Sequence, residues 1–146
     1  MSTSRKAAAR RSFMIGAGAA GAAAMTAQAA PPPVSGKVKA PGGYRIGNTY
    51  YSSGLTGVRP DAPADIKEQT HNILKAHQKN LEAMRSSLDH VVKVTAFLAD
   101  VKTQKPAFNE AYAEYFKKDA PARTALGAIF PDTKTLVEIE LVAWVP

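Results

Sequence analysis

The C-terminal quarter reads Pro121-Ala122-Arg123-Thr124, then Phe130-Pro131-Asp132-Thr133-Lys134, then Thr135-Leu136-Val137-Glu138-Ile139-Glu140-Leu141-Val142-Ala143-Trp144. Residues 122–130 and 135–145 each alternate in polarity, the two-residue period of a half-buried strand. A polar turn begun by Pro131 separates them, so the stretch predicts a β-hairpin. In its second strand Val137, Ile139, Leu141 and Ala143 share one face. Glu138, Glu140 and Trp144 share the other, with Leu136 and Val142. A face that sets two carboxylates among apolar groups fits either a solvated surface or a functional one.

Upstream, His90 to Ala99 is a second strand rich in β-branched residues. Val92, Val94, Ala96 and Leu98 form one face; Lys93, Thr95 and Phe97 form the other. A helix opening near Pro106 and reaching Phe116 carries the aromatic stripe Phe108, Tyr112, Tyr115 and Phe116, read as core packing. Ala64 to Arg85 predicts a longer helix. Its stripe is Ile66, Thr70, Ile73, Leu74, His77, Leu81 and Met84, spaced by threes and fours. Asp65 sits at its start, where a negative charge suits the helix dipole. His77 on that stripe reads as a packed core histidine. Tyr44–Ile46 and Thr49–Ser53 flank Gly47-Asn48, a second hairpin signal. Leu55 to Pro63 reads as a loop, and Lys37–Lys39 as at most a short edge strand. The order is ββαβαββ: an α+β domain with an antiparallel or mixed sheet and both helices on one face.

With 146 residues the chain holds one domain. It has no cysteine, which excludes disulfides, a thiolate nucleophile and sulfur metal sites. His71 and His77 do not share a helix face, and His90 has no local partner, so no metal site is expected. The formal charge of +7 hints at nucleic acid until it is divided along the chain. Residues 1–29 hold Arg5, Lys6, Arg10 and Arg11 and no acid, leaving +3 for the remainder. No basic, aromatic-interleaved groove is apparent, which argues against nucleic acid as a partner.

The N-terminus has the pattern of an export signal. Arg10-Arg11-Ser12-Phe13-Met14 resembles a twin-arginine motif, an Ala/Gly-rich stretch runs from Ile15 to Met25, and Ala27-Gln28-Ala29 suits a signal peptidase. The expected organisation is a signal peptide at 1–29, a Pro/Gly-rich segment at 30–42 and a domain at 43–146. The cleaved product would be periplasmic or secreted, without a membrane anchor.

Four segments together resemble the Rid (reactive-intermediate deaminase) family, also called YjgF. They are Ile46-Gly47-Asn48 before Ser53-Gly54; Ser86 to Asp100; Phe108-Asn109-Glu110-Ala111-Tyr112-Ala113-Glu114-Tyr115-Phe116; and Pro121-Ala122-Arg123-Thr124 with Val137-Glu138-Ile139-Glu140. They follow the family's order, and the similarity runs from about residue 43 to the end. The resemblance implies a chorismate-mutase-like fold and a homotrimer with clefts between subunits. It implies hydrolysis of small 2-imino acids to 2-keto acids and ammonia, without metal or cofactor. Arg123 would hold the substrate carboxylate and Glu138 would position water. Ser53, Gly54, Asn109, Thr124 and Ala125 would complete the binding site. Glu140 lies on the same face as Glu138; Glu138 is preferred as the first acid of its motif. The upstream Gly-Pro-Tyr-Ser-Gln of many members is altered: Ala40 stands where the tyrosine would, and Leu55 where glutamine is common. The alternative is an exported small-ligand binding or protein-protective trimer without turnover. If the hairpin pairs Phe130 with Thr135, Arg123 faces Val142 and Glu138 faces Gly127, about 13 Å apart at roughly 3.3 Å per residue. Arg123 and Glu138 would then share one small substrate only across different chains.

Overall fold

The computed structural model describes residues 36–146. The export signal expected at 1–29 lies outside them. The chain runs β1 (Lys37–Ala40), β2 (Gly43–Ile46), β3 (Thr49–Ser52), β4 (Leu55–Thr56), α1 (Ile66–Glu82), a single 3₁₀ turn (Leu88–His90), β5 (Val91–Leu98), α2 (Val101–Ala113), β6 (Ala122–Gly127) and β7 (Val137–Trp144). The strands form one mixed sheet in the order β1-β2-β3-β7-β5-β6, with β4 also on β7. Both helices cover one face, as the polarity pattern predicts.

The core follows from alternation. Val137, Ile139, Leu141 and Ala143 of β7 are buried beneath the helices, beside Val94, Ala96 and Leu98 of β5. Ile73, Leu74 and Leu81 of α1, and Phe108, Tyr112 and Phe116 with α2, close over them. Truncating Ile139 to Ala would cost about 2–5 kcal/mol, the usual range for a core aliphatic. His77 is fully buried, and its Nε2–H donates to the Ile139 carbonyl at 2.9 Å. It is the packed core histidine the stripe implies.

The C-terminal stretch does not fold as a hairpin. β6 pairs with β5 in parallel, Arg123 beside Val94 and Gly127 beside Leu98. β5 in turn pairs antiparallel with β7, so it lies between the two strands expected to be partners. The physical reason is the strand–helix–strand unit β5-α2-β6, which returns β6 parallel beside β5. Alternation marks a strand but does not name its partner. Residues 128–136 then cross the end of β5. Ala128 N–H donates to Leu98 O, and Ala99 N–H donates to Leu136 O, both at 2.9 Å. The Asp132 carboxylate accepts from Lys134 N–H, Thr135 N–H and the Thr135 hydroxyl. Those bonds favour its charged form and lower its pKa. Buried Gln69 ties the same loop to α1, donating to Lys134 O and accepting from Leu136 N–H.

Smaller departures have local causes. Between Val91 and Lys93 the β5 register shifts, so Val91 is buried and Val92 is exposed. α1 is shorter than expected, with Asp65 as its N-cap accepting from Glu68 N–H at 2.7 Å. α2 starts at Val101, five residues before Pro106, because Asp100 caps it and accepts from Lys102 and Thr103 N–H. The hairpin at Gly47-Asn48 is as expected, with Ile46 opposite Thr49 and Gly47 at φ +56°. The loop expected from Leu55 contains β4. Three residues, Ser52 to Gly54, separate the β3 and β4 pairings, against only Glu140 and Leu141 on β7. The extra residue makes a bulge. Ser52 Oγ fills the gap in the ladder by accepting from Leu141 N–H at 2.7 Å.

Candidate functional site

The residues singled out from sequence divide into two groups. The first is built on the edge strand β6 and on α2. Arg123 pairs with Val94, so its side chain leaves the sheet on the helix side. There its Nη2 donates to Asn109 Oδ1 at 2.8 Å. Its guanidinium carbon lies 4.5 Å from the Tyr112 ring centroid and 5.3 Å from that of Phe108. Phe108, Asn109 and Tyr112 are one helical turn of α2, and together they present two ring faces and one amide oxygen to the arginine. The side chain remains exposed. An exposed guanidinium held by a neutral acceptor and by aromatic faces is a ready anion anchor.

Tyr112 is 5% exposed, and its hydroxyl has no hydrogen-bond partner among the described residues. Burial raises its pKa to about 12, against the opposing pull of the Arg123 charge. The phenol therefore stays neutral. From the sequence this ring reads only as core; that it also supports the arginine follows from how α2 lies over β6. Ala125 is half-buried on the same side of β6, paired with Ala96.

The second group lies around the β3–β4 bulge, on the sheet face without helices. Glu138 pairs with Phe97 of β5 and with Thr56 of β4. Its carboxylate rests over Gly54: a Cβ built at Gly54 would overlap Glu138 Oε1. Ser53 is exposed next to it, its N–H donating to Gly42 O at 2.8 Å. Glu140 is opposite Thr95, one step further along the face, where Thr95, Lys93, Tyr51 and Val142 line a shallow cavity of about 100 Å³. Thr124 also faces this side, accepting from Lys93 Nζ at 2.6 Å. The face is unusually apolar for one without cover: Tyr44, Ile46, Tyr51, Val92, Leu126 and Trp144 are each at least 40% exposed.

The register expected from sequence put Arg123 opposite Val142 and Glu138 opposite Gly127. That is overturned: Arg123 shares a row with Val94 and Leu141, and Glu138 shares one with Phe97 and Leu126. Three residues along and two strands across separate their Cα atoms by about 14 Å. The structure thus brings Arg123 to Asn109, and Glu138 to Ser53 and Gly54, but keeps the two groups apart within one chain. Ala40, where the family resemblance implies a tyrosine, ends β1 and pairs with Gly43 of β2.

A family profile described as Endoribonuclease L-PSP matches residues 29–145. The chain belongs to the Rid/YjgF (L-PSP) family. A RutC family protein of Pyrococcus horikoshii is 36% identical over 104 residues, covering 68% of this chain and 82% of that one. Reactive Intermediate Deaminase A, chloroplastic, of Arabidopsis thaliana is 31% identical over 103 residues, covering 68% of this chain and 54% of that one. The crystal structure of yeast Mmf1 superposes with a TM-score of 0.65 at 30% identity, covering 72% of this chain and 86% of that one. The two-helix, mixed-sheet architecture is the chorismate-mutase-like fold of this Rid/YjgF family.

Proposed function

We propose that this Rid/YjgF protein hydrolyses small 2-imino acids to 2-keto acids and ammonia, at sites completed by a second copy of the chain. The observation that carries the reading is the preset Arg123, held by Asn109 and backed by Tyr112 while its charge stays open to a carboxylate. The Arabidopsis relative's name, which speaks of a reactive intermediate deaminase, supports the class of reaction.

Arg123 binds the carboxylate through a planar fork that an ammonium cannot reproduce. Glu138, brought from the second copy, holds a water by accepting its proton. The water oxygen attacks the imine carbon, and the nitrogen takes up a proton, giving a carbinolamine. In that intermediate the hydroxyl proton is passed to the nitrogen, the C–N bond breaks with its electron pair going to nitrogen as the C=O forms, and ammonia leaves. An imine carbon is already electrophilic, so a positioned base contributing about 10²–10⁴ in rate is enough machinery. The apolar sheet face gives the copies a surface on which to assemble, and we propose a homotrimer.

The test is ammonia release from imines generated in situ by an amino-acid oxidase, with thermal melts alongside. Wild type should turn over. Arg123→Ala and Arg123→Lys should lose most activity while melting normally. The altered segment around Ala40 favours the second reading, a binding trimer without turnover. That reading predicts no ammonia from wild type, but carboxylate-ligand binding that weakens in Arg123→Ala. Full activity in Arg123→Ala would sink both.

A further inference from the structure

We propose that Asn109 is a positioning residue for Arg123; this rests on Arg123 being the carboxylate anchor. The carbonyl oxygen of Asn109 is spent on Arg123 Nη2 at 2.8 Å. Asn109 is half-buried on α2, in the same helical turn as Phe108 and Tyr112, whose rings lie against the guanidinium.

A guanidinium offers two outward forks, Nε–H with Nη2–H, and Nη1–H with the other Nη2–H. Nη2 contributes one hydrogen to each. Whichever hydrogen Asn109 takes, one fork is left whole and now points in a fixed direction. The rings limit where the guanidinium can go, its central carbon lying 4.5 Å from the Tyr112 centroid and 5.3 Å from that of Phe108. One hydrogen bond and the ring contacts thus select a single orientation from a long, flexible side chain before any ligand arrives. Ordering a side chain on binding costs affinity, and presetting it removes that cost.

The choice of a neutral acceptor matters as much as its place. Among the described residues Arg123 makes no ion pair. An aspartate here would hold the fork equally well but would offset the charge the ligand needs. Asparagine supplies the geometry and leaves the full positive charge for a carboxylate.

The experiment measures two quantities that a general structural role would not separate. The order of the Arg123 side chain is read by ¹⁵N relaxation of its Nε–H without ligand. Affinity is read by calorimetry with 2-oxobutanoate, a small 2-keto acid, as probe. In Asn109→Ala the order should be lost, and affinity should fall roughly tenfold, the scale of one hydrogen bond to a charged group. In Asn109→Asp the order should be kept and affinity should fall at least as far. Should Asn109→Ala fail to fold, the isosteric Asn109→Asp decides alone. An Arg123 equally ordered in Asn109→Ala, or wild-type affinity in Asn109→Asp, overturns the proposal. Wild type that binds the probe with these responses but releases no ammonia from imines would refute the deaminase reading and leave the positioning role standing.

Discussion

Arg123 and Glu138 leave the same sheet on opposite faces, Arg123 beside Val94 toward the helices and Glu138 beside Phe97 away from them. No rotamer change brings their charged ends onto one small substrate within a chain, since a sheet lies between them. If both act in one reaction, they do so from different copies. Co-expression of Arg123→Ala with Glu138→Gln is therefore expected to restore activity that neither variant has alone. In a closed ring with random assembly, about one site in four receives an intact Arg123 and an intact Glu138. Recovery near a quarter of wild type is the expected result. No recovery in mixed oligomers, confirmed by mass, would mean that the two residues do not share a site.

Gly54 offers a sharper probe of Glu138 than replacing Glu138 itself. The added methyl of Gly54→Ala meets the far end of a flexible side chain, the Glu138 carboxylate. The glutamate can swing aside, so stability should change by no more than about 1 kcal/mol. Turnover should fall, because the carboxylate loses its place. Gly57→Ala is the contrast. Its methyl overlaps the Gln69 backbone on α1, which cannot move alone. It should cost about 1–3 kcal/mol or more as an overpacked contact. Melts and kinetics on both variants separate a displaced catalytic group from a strained fold.

Much of this could be read from the residues. The core rows of β5 and β7, the α1 stripe and the buried His77 followed from periodicity alone, because alternation and helical spacing are local properties. The partner of β6 did not. A parallel pair through a helix and an antiparallel pair through a turn give a strand the same alternation, and Pro131-Asp132 resembles a hairpin turn closely enough to mislead. Val92 was misplaced because one extra residue in β5 reverses the faces before it. At the site, the resemblance drew Arg123 and Asn109 from separate segments. That they touch each other, and that Tyr112 backs the arginine, depended on how α2 lies over β6, which no local pattern encodes.

His77 should give the fold a dependence on mild acid. Burial disfavours its charged form and lowers its pKa below the usual 6.5, an effect larger than the opposing bond to Ile139 O. The unfolded chain therefore takes up a proton at His77 before the folded chain does. Its contribution to stability is complete above about pH 6.5 and is lost as pH falls toward the depressed folded value. Thermal midpoints should decline from pH 7 to pH 5. His77→Gln keeps a side-chain N–H for Ile139 O but does not titrate, so its decline over that window should be shallower. An equal slope in both proteins would assign the effect to other groups.

For the N-terminus we propose twin-arginine export, with cleavage after Ala29. Arg10-Arg11 before an Ala/Gly-rich stretch, followed by Ala27-Gln28-Ala29, supplies the three parts such a signal needs. Two relatives bear the words mitochondrial and chloroplastic in their names. An Arg-rich, acid-free leader is also what an organelle transit peptide requires, so the two addresses must be separated by experiment. The twin-arginine route recognises the paired arginines, whereas a transit peptide depends on overall positive charge. Arg10→Lys with Arg11→Lys keeps the charge and removes the pair. In a bacterial host, export of the wild type should stop in this double variant, and N-terminal sequencing of the exported wild type should begin at Ala30. Export that survives the lysine pair, or exported protein that still begins at Met1, would refute the assignment.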